Sequence, residues 1–173
     1  MINSLLIHTC CADCFLNTIN YLKEEDIINR ETKIISLFYN PNIHPRSEYN
    51  ERLNALKKIL PSNAKLIVPD YKPKEYFERI KGTKIRCRGC WDLRIKYLFE
   101  YAKKNKIKNI STTLLVSQYQ NITEIKKIID LYNQKYKLNF IEVSKEHNEK
   151  HTGFYKQNYC GCCYSLVEKM NKY

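Results

Sequence analysis

Residues 5–14 read LLIHTCCADC, a stretch that joins an apolar run directly to three cysteines. The run 5–8 predicts a buried strand, because short apolar segments of this kind occur inside sheets. A helical pattern follows over residues 15–25, so Cys10 and Cys11 lie where a strand gives way to a helix. In open parallel sheets, ligands bind outside the carboxyl ends of the strands. The stretch therefore predicts a thiol-based site at the carboxyl edge of a sheet.

The alternation of strand and helix continues along the rest of the chain. Apolar runs predict five strands, at residues 5–8, 33–39, 65–68, 109–115 and 140–143. Amphipathic patterns predict helices at residues 15–25, 47–60, 74–80, 90–104 and 122–136, with a loop and a last helix within 153–173. This order is typical of an α/β fold. We expect a single catalytic domain over 1–173, with a Rossmann-like parallel sheet of about five strands covered by helices on both faces.

The balance of charge favours a polyanionic partner. The chain of 173 residues has 30 Lys+Arg against 18 Asp+Glu, for a formal net charge of +12. Such a charge attracts the phosphates of RNA or DNA. The chain is also rich in Lys, Asn, Ile and Tyr, as codon bias in an AT-rich genome would produce. The charge alone therefore leaves the partner open.

No apolar run approaches the roughly 20 residues that a membrane span needs, and no N-terminal signal pattern is visible. We expect a cytoplasmic protein with no membrane partner. In that reducing compartment, closely spaced cysteines more often hold metal or carry redox chemistry than form structural disulfides. The sequence also lacks the glycine-rich phosphate-binding loops and the G-x-S-x-G elbow, which excludes the common nucleotide-binding and serine-hydrolase classes.

All eight cysteines fall into three groups that are far apart in the sequence. Their segregation predicts one composite site, assembled by folding. Thiolates suit iron–sulfur clusters, zinc or copper(I), and paired thiols can cycle to a disulfide. The groups are Cys10, Cys11 and Cys14; Cys87 and Cys90; and Cys160, Cys162 and Cys163.

Each group leaves alternatives open when it is taken alone. The C-x-x-C of Cys87 and Cys90 suits zinc, an iron–sulfur corner or a redox disulfide. The adjacent side chains of Cys10 and Cys11 diverge in extended chain, so they fit two iron corners better than one zinc ion. Cys14 is either a ligand or a packing residue. The C-x-C around Gly161 permits a disulfide or metal binding, because glycine tolerates unusual dihedrals.

Several polar side chains are weaker candidates for the same site. Asp13 and Asp70 are the carboxylates best placed to join a metal shell or donate protons, although capping and turn roles suit them equally. His8 fits a satisfied core histidine, and His44 lies in a loop after a strand, where it could contact substrate. Four arginines near the motifs are candidates for phosphate contacts: Arg46, Arg86, Arg88 and Arg94.

The ordered motifs point to one family. They are LIHTCC at 6–11 with Cys14, FYNPNIHP at 38–45 with Glu48, Tyr49 and Arg52, Asp70 with Tyr71, RCRGC at 86–90, TTLLVS at 112–117, and Y-x-Q-x-Y-C-G-C at 155–162. In these motifs the chain resembles the cobalamin-independent epoxyqueuosine reductases over nearly its whole length. It departs from them at Asp13, where proline is usual, in a shorter segment before Phe154, and in the additional Cys163.

The resemblance implies reduction of the epoxide of epoxyqueuosine to queuosine at the wobble position of tRNA. It implies a [4Fe–4S] cluster held by Cys10, Cys11, Cys87 and Cys90. Cys160 and Cys162 would then be a redox-active dithiol or the ligands of a second iron. The partners would be the tRNA anticodon loop and an external electron donor, since no flavin or nicotinamide motif is visible.

Two alternative functions, from other functional classes, are also compatible with the cysteine pattern. A zinc-stabilised RNA-binding module would be colourless and hold stoichiometric zinc. A metal-free thiol–disulfide oxidoreductase would work through Cys160 and Cys162 alone. Neither needs the adjacent pair Cys10 and Cys11, which favours the iron-dependent reductase.

Overall fold

The computed structural model describes residues 1–144 and 151–172. Its strands are all parallel and form one sheet in the order β3-β2-β1-β4-β5. This arrangement confirms the predicted Rossmann-like α/β class. The strands are β1 (Ser4–His8), β2 (Lys33–Leu37), β3 (Lys65–Ile67), β4 (Asn109–Thr112) and β5 (Asn139–Phe140).

Helices connect successive strands and cover the sheet. The helices are α1 (Ala12–Glu24), α2 (Arg46–Ile59), α3 (Pro73–Ile80), α4 (Arg86–Lys104), α5 (Ile122–Tyr136) and α6 (Cys163–Met170). Helix α1 packs on α2, and α4 packs on both α3 and α5. Parallel strands are joined by right-handed crossovers. The order of the strands therefore puts α1 and α2 on one face and α4 and α5 on the other.

The strand order reverses direction between β1 and β4. The chain moves outward from β1 to β2 and β3, then returns across the sheet to β4 on the other side of β1. In the register of this pair, His8 lies opposite Thr112. A crevice opens at such a reversal, and it is the usual ligand site of these folds. The residues that follow β1 and β4 therefore meet at the carboxyl edge.

The central strand β1 is buried on both faces. Leu5, Leu6 and Ile7 are fully buried, as expected for a strand with helices on either side. His8 is also fully buried; its Nε2–H donates to Tyr39 O at 3.0 Å, and its Nδ1 lies 3.1 Å from Thr112 Oγ1. Burial, followed by the charge of Arg94, lowers the pKa of His8 to about 4. The prediction of a satisfied core histidine is confirmed.

The structure corrects several predicted boundaries. The strand predicted at 109–115 ends at Thr112, because its hydroxyl accepts the Leu114 N–H at 3.3 Å and starts a 3-10 turn, Thr113–Leu115. The strand predicted at 140–143 is only the short β5. Helix α4 begins at Arg86, one turn before the expected start. Within the described residues, no helix has the length and apolar character that crossing a membrane requires.

Candidate functional site

Three thiols gather where β1 meets α1. Cys11 is the N-cap of α1, and its Sγ accepts the Cys14 N–H at 3.4 Å, which holds the thiol over the first helical turn. The sulfurs of Cys10 and Cys11 lie 3.9 Å apart. The sulfurs of Cys10, Cys11 and Cys14 are all within 4.8 Å of one another and buried. This group could bind a metal ion.

The end of β4 fixes Cys10. The Cys10 N–H donates to Thr113 Oγ1 at 3.0 Å, and the Thr113 hydroxyl donates to Cys10 Sγ at 3.2 Å. Hydrogen bonds from the thiols of Cys11 and Cys14 hold the pKa of Cys10 well below its usual range. The same interactions raise the pKa of both partners. These contacts therefore favour the thiolate at Cys10 over its two neighbours.

A second thiol group lines a cleft of about 180 Å³. Cys87 and Cys90 enter it from the first turns of α4, and Cys160 and Cys162 enter it from the loop before α6. The sulfurs of Cys160 and Cys162 lie 3.7 Å apart. Cys162 is the N-cap of α6, and its Sγ accepts the Ser165 N–H at 3.3 Å.

The thiols of this cleft differ in acidity. A hydrogen bond from Cys162 lowers the pKa of Cys160 to about 5, and the same contact raises the pKa of Cys162. Burial raises the pKa of Cys90 to about 11. One member of the C-x-C pair is therefore poised as a thiolate beside a protonated neighbour.

The geometry divides the thiols differently from the ligand set that the family resemblance implies. That set combined Cys10 and Cys11 with Cys87 and Cys90. In the part of the chain that is described, Cys14 is the third sulfur within 4.8 Å of the first two. Cys87 and Cys90 instead share their cleft with the C-x-C pair.

Arg52 ties the C-x-C loop to α2. Its side chain is 2% exposed, and its Nε donates to Glu48 Oε1 at 2.6 Å. Its terminal nitrogens donate to Tyr159 O and Cys160 O, each at 3.2 Å. The Tyr155 hydroxyl donates to the other oxygen of Glu48. This network holds both the tail and the backbone beside Cys160.

Gly161 makes that close approach possible. Its φ is +115°, and a Cβ at this position would lie 3.0 Å from a guanidinium nitrogen of Arg52. Glycine alone accepts both the dihedral and the contact without strain. The Gly161 carbonyl also accepts the His44 N–H at 2.7 Å, so the loop after β2 docks on the same turn.

Arg94 is a second buried cation, in a different setting from Arg52. The side chain is 2% exposed and lines the thiol cleft, and its Nε donates to Cys90 O at 3.3 Å. Among the described residues, no carboxylate lies within 4 Å of it. Its charge opposes the rise that burial causes in the pKa of Cys90, and it adds to the lowering of the Cys160 pKa that the hydrogen bond from Cys162 causes. The burial contradicts a phosphate contact at the surface, and Arg94 instead lines the same cleft as Cys87, Cys90, Cys160 and Cys162.

The two carboxylates proposed from the sequence lie outside the lining of the cleft. Asp13, in the first turn of α1, forms an ion pair with Lys156 at 2.8 Å. Asp70 follows β3 and its side chain is 85% exposed, 3.7 Å from Lys72. Cys163 begins α6, and its N–H donates to His44 Nδ1 at 3.4 Å.

Sequence reasoning missed two polar residues of the cleft. Tyr76 of α3 is buried beside Cys162, and burial raises the pKa of its hydroxyl. Asn42 is 2% exposed, and its Oδ1 has no hydrogen-bond partner in the described chain. Nothing in the sequence distinguishes Tyr76 among the 14 tyrosines of the chain. Asn42 stood in the motif at 38–45, which could have directed attention to it.

Comparisons with known proteins identify the family of this chain. The family model for epoxyqueuosine reductase QueH matches residues 5–168. The chain is 30% identical to the protein of that name from Thermotoga maritima, covering 98% of this chain and 94% of the relative. It is 31% identical to that of Haemophilus influenzae (95% and 72% covered) and 29% identical to that of Dehalococcoides mccartyi (99% and 97% covered). The chain therefore belongs to the epoxyqueuosine reductase QueH family.

Proposed function

We propose that this chain reduces epoxyqueuosine to queuosine at the wobble position of tRNA, as one iron-dependent catalytic domain of the cytoplasm. The observation that carries the proposal is the meeting of thiols from three distant segments at the carboxyl edge. Arg52 links the two groups: it binds the backbone of Cys160, and its charge interacts with Cys10 and Cys11.

The donor set fits an iron–sulfur centre. Its candidate ligands are thiols, the ligands that iron–sulfur clusters require, and a buried cation compensates their negative charge. A [4Fe–4S] cluster, when bound, would supply electrons one at a time at a low potential. Cys10 and Cys11 would hold it with Cys87 and Cys90, and Cys14 competes for a place because its sulfur already lies beside the first two.

Cys160 and Cys162 can supply the rest of the chemistry. Removing the epoxide oxygen as water breaks two C–O bonds, forms a C=C bond, and takes two electrons and two protons. Oxidation of this pair to a disulfide supplies both electrons and, because Cys160 is held as the thiolate, one of the two protons, which comes from Cys162. At 3.7 Å apart, the two sulfurs are close enough for that change to need little movement. An external donor would then reduce the disulfide. Alternatively, the pair would hold a second iron.

Proton delivery falls to groups in or near the cleft. Cys162 and Tyr76 both keep their protons at neutral pH, because each has a raised pKa. Asp13 and Asp70 remain proposed acids, but the first is already ion-paired and the second faces solvent. Tyr76 is therefore the better-placed source of the second proton.

The activity is tested by anaerobic incubation with epoxyqueuosine-containing tRNA and a low-potential reductant, followed by mass analysis of the nucleosides. A product lighter by one oxygen is expected. An intact epoxide, with protein whose iron and sulfide are full, would contradict the function. Colourless protein with stoichiometric zinc would favour the RNA-binding module, and full activity without metal would favour the simple dithiol enzyme.

The ligand set is tested by iron and sulfide analysis of two serine variants. Cys87→Ser should lose most of the iron if the C-x-x-C ligates the cluster. Cys14→Ser should keep it, unless Cys14 takes the place of Cys87.

Replacing Cys160 or Cys162 with serine should abolish turnover and leave the cluster bound. Loss of the cluster in both of those variants would make them its ligands.

A further inference from the structure

A basic, exposed segment joins α3 to α4 beside the thiol cleft. Residues 79–88 contain five cations and no acidic residue, and residues 81–88 are all exposed. Arg79 pairs with Asp92, and Arg86 pairs with Glu168. The remaining cations, Lys81, Lys84 and Arg88, have no carboxylate within 4 Å in the described part of the chain.

This segment forms one wall of a groove of about 480 Å³. Lys84, Ile85 and Arg88 line it, and Ile128 and Leu131 of α5 form the opposite side. Ile85 is 57% exposed and Leu131 is 60% exposed. The groove therefore combines exposed apolar side chains with unpaired cations.

The groove and the cleft share the first turns of α4. Cys87 and Cys90 line the cleft, whereas Arg88 and Gly89 line the groove. The cleft and the groove therefore lie on two sides of the same turns of α4.

We propose that this groove binds the nucleotides next to the target base in the tRNA anticodon loop. Single-stranded RNA offers phosphates and unstacked bases together, and proteins hold it with cations beside flat or apolar surfaces. Lys84 and Arg88, which line the groove, contact phosphates, together with Lys81 of the same exposed segment. Ile85 and Leu131 support a base or ribose. The identity of this RNA rests on the proposed function.

The test compares tRNA binding by two triple variants over a range of salt concentrations. Lys81→Ala/Lys84→Ala/Arg88→Ala should raise the Kd about tenfold or more at 0.1 M salt, because each lost phosphate contact removes counterion release. The slope of log K against log salt should fall by about 2, at roughly 0.7 for each single-strand contact.

The matched control is Lys103→Ala/Lys104→Ala/Lys108→Ala. These lysines are exposed and also lack a carboxylate within 4 Å in the described residues, so the control removes the same charge. They lie at or beyond the far end of α4, which spans about 27 Å at 1.5 Å per residue. That separation exceeds the screening length of about 8 Å at physiological salt. The control should bind tRNA nearly as the unmodified protein does.

The possible outcomes distinguish a failure of the proposed groove from a failure of the proposed reductase activity. Equal weakening in both triple variants overturns the groove, because binding would then follow net charge alone, and so does unchanged binding in the first variant. Salt-dependent tRNA binding that only the first variant loses, in protein that leaves the epoxide intact, supports the groove while contradicting the reductase.

Discussion

Two arginines, Arg52 and Arg94, are buried at the thiol site under opposite conditions. Arg52 has Glu48 as a counter-ion at 2.6 Å and two further acceptors, the carbonyl oxygens of Tyr159 and Cys160. Arg94 has a backbone carbonyl and, among the described residues, no carboxylate. Burying an unpaired charge costs several kcal/mol. The fold accepts that cost at Arg94 because the thiolates, and any metal centre that they hold, supply negative charge in the cleft.

Replacing Arg94 should change metal binding and stability in opposite directions. In Arg94→Met, iron affinity should fall by about tenfold to a hundredfold, the usual effect of losing a supporting residue at a metal site. The metal-free variant should unfold at the same or a higher denaturant concentration, because an unpaired buried charge is gone. Anaerobic iron titration and urea unfolding measure the two effects. Arg94→Lys should retain most of the iron, and equal affinity in both variants would contradict the electrostatic role.

Replacing Arg52 should destabilise the fold itself. Arg52→Met leaves Glu48 buried without its partner, a change that costs about 3–5 kcal/mol. The double variant Arg52→Met/Glu48→Gln should recover part of the loss. Lys74→Met is the control: Lys74 and Glu78 also form an i,i+4 pair, but they are 86% and 64% exposed. Exposed helical pairs contribute about 0.3–0.5 kcal/mol. Urea unfolding at pH 7 should reproduce this order.

At the scale of elements, two helices begin in the same way, with a cysteine as the N-cap. Cys11 begins α1 and Cys162 begins α6, and each sulfur accepts the N–H of the residue three positions later. Serine or aspartate is the more usual cap. The cap orients each sulfur over a helix N-terminus, and the hydrogen bond of each thiol to a neighbouring cysteine raises its pKa. Each of these thiols also lies within 4 Å of the sulfur of a second cysteine.

The loop before α6 can be tested through two glycines. Gly153 has φ +89°, and no atom of the described residues lies within 4 Å of an added Cβ, whereas Gly161 has φ +115° and meets Arg52. Gly153→Ala should cost about 1–2 kcal/mol, from the dihedral alone. Gly161→Ala should cost more and should also increase the alkylation rate of Cys160, because the loop must leave Arg52. Similar losses of stability in the two variants, with an unchanged alkylation rate of Cys160, would contradict the role of Arg52 in holding the loop.

The sequence predicted which helices and strands exist more accurately than it predicted the residues at which they begin and end. The apolar runs identified every strand of the sheet, but the 3-10 turn at Thr113–Leu115 depends on the position of the Thr112 hydroxyl, which local propensity does not report. The sequence also predicted that the three cysteine groups converge, because strand ends and helix starts share one edge. The division of the thiols into two groups, and the burial of Arg94, depend on where α4 begins and how it packs.

At the scale of the whole molecule, the site occupies the reversal of strand order. Residues after β1, β2 and β4 reach it, together with the first turns of α4 and the tail. The two thiol groups are therefore held by segments from both halves of the sheet, on either side of the reversal in strand order. A metal centre that bridges these segments would add a link to the side-chain contacts and to the backbone hydrogen bond from His44 to Gly161.

Removal of the metal should therefore lower the stability of the whole molecule. A ligand present at about 1,000 times its Kd stabilises the folded state by about 4 kcal/mol. For a chain of this size, that corresponds to roughly 10 °C in Tm. Anaerobic calorimetry of iron-loaded protein, before and after chelation, measures the shift. Cys10→Ser should show little shift on chelation, and an equal shift in that variant would contradict ligation at this position.

The spacing of the thiols along the chain has a consequence for synthesis. Cys10 and Cys160 are 150 residues apart, and a ribosome adds about 5–20 residues per second. The first thiols therefore leave the ribosome about 8–30 s before the last ones exist. During that interval they are exposed to oxidants and to foreign metal ions. Correct loading thus requires that the iron donor act after translation, on a chain kept reduced until its final residues are in place.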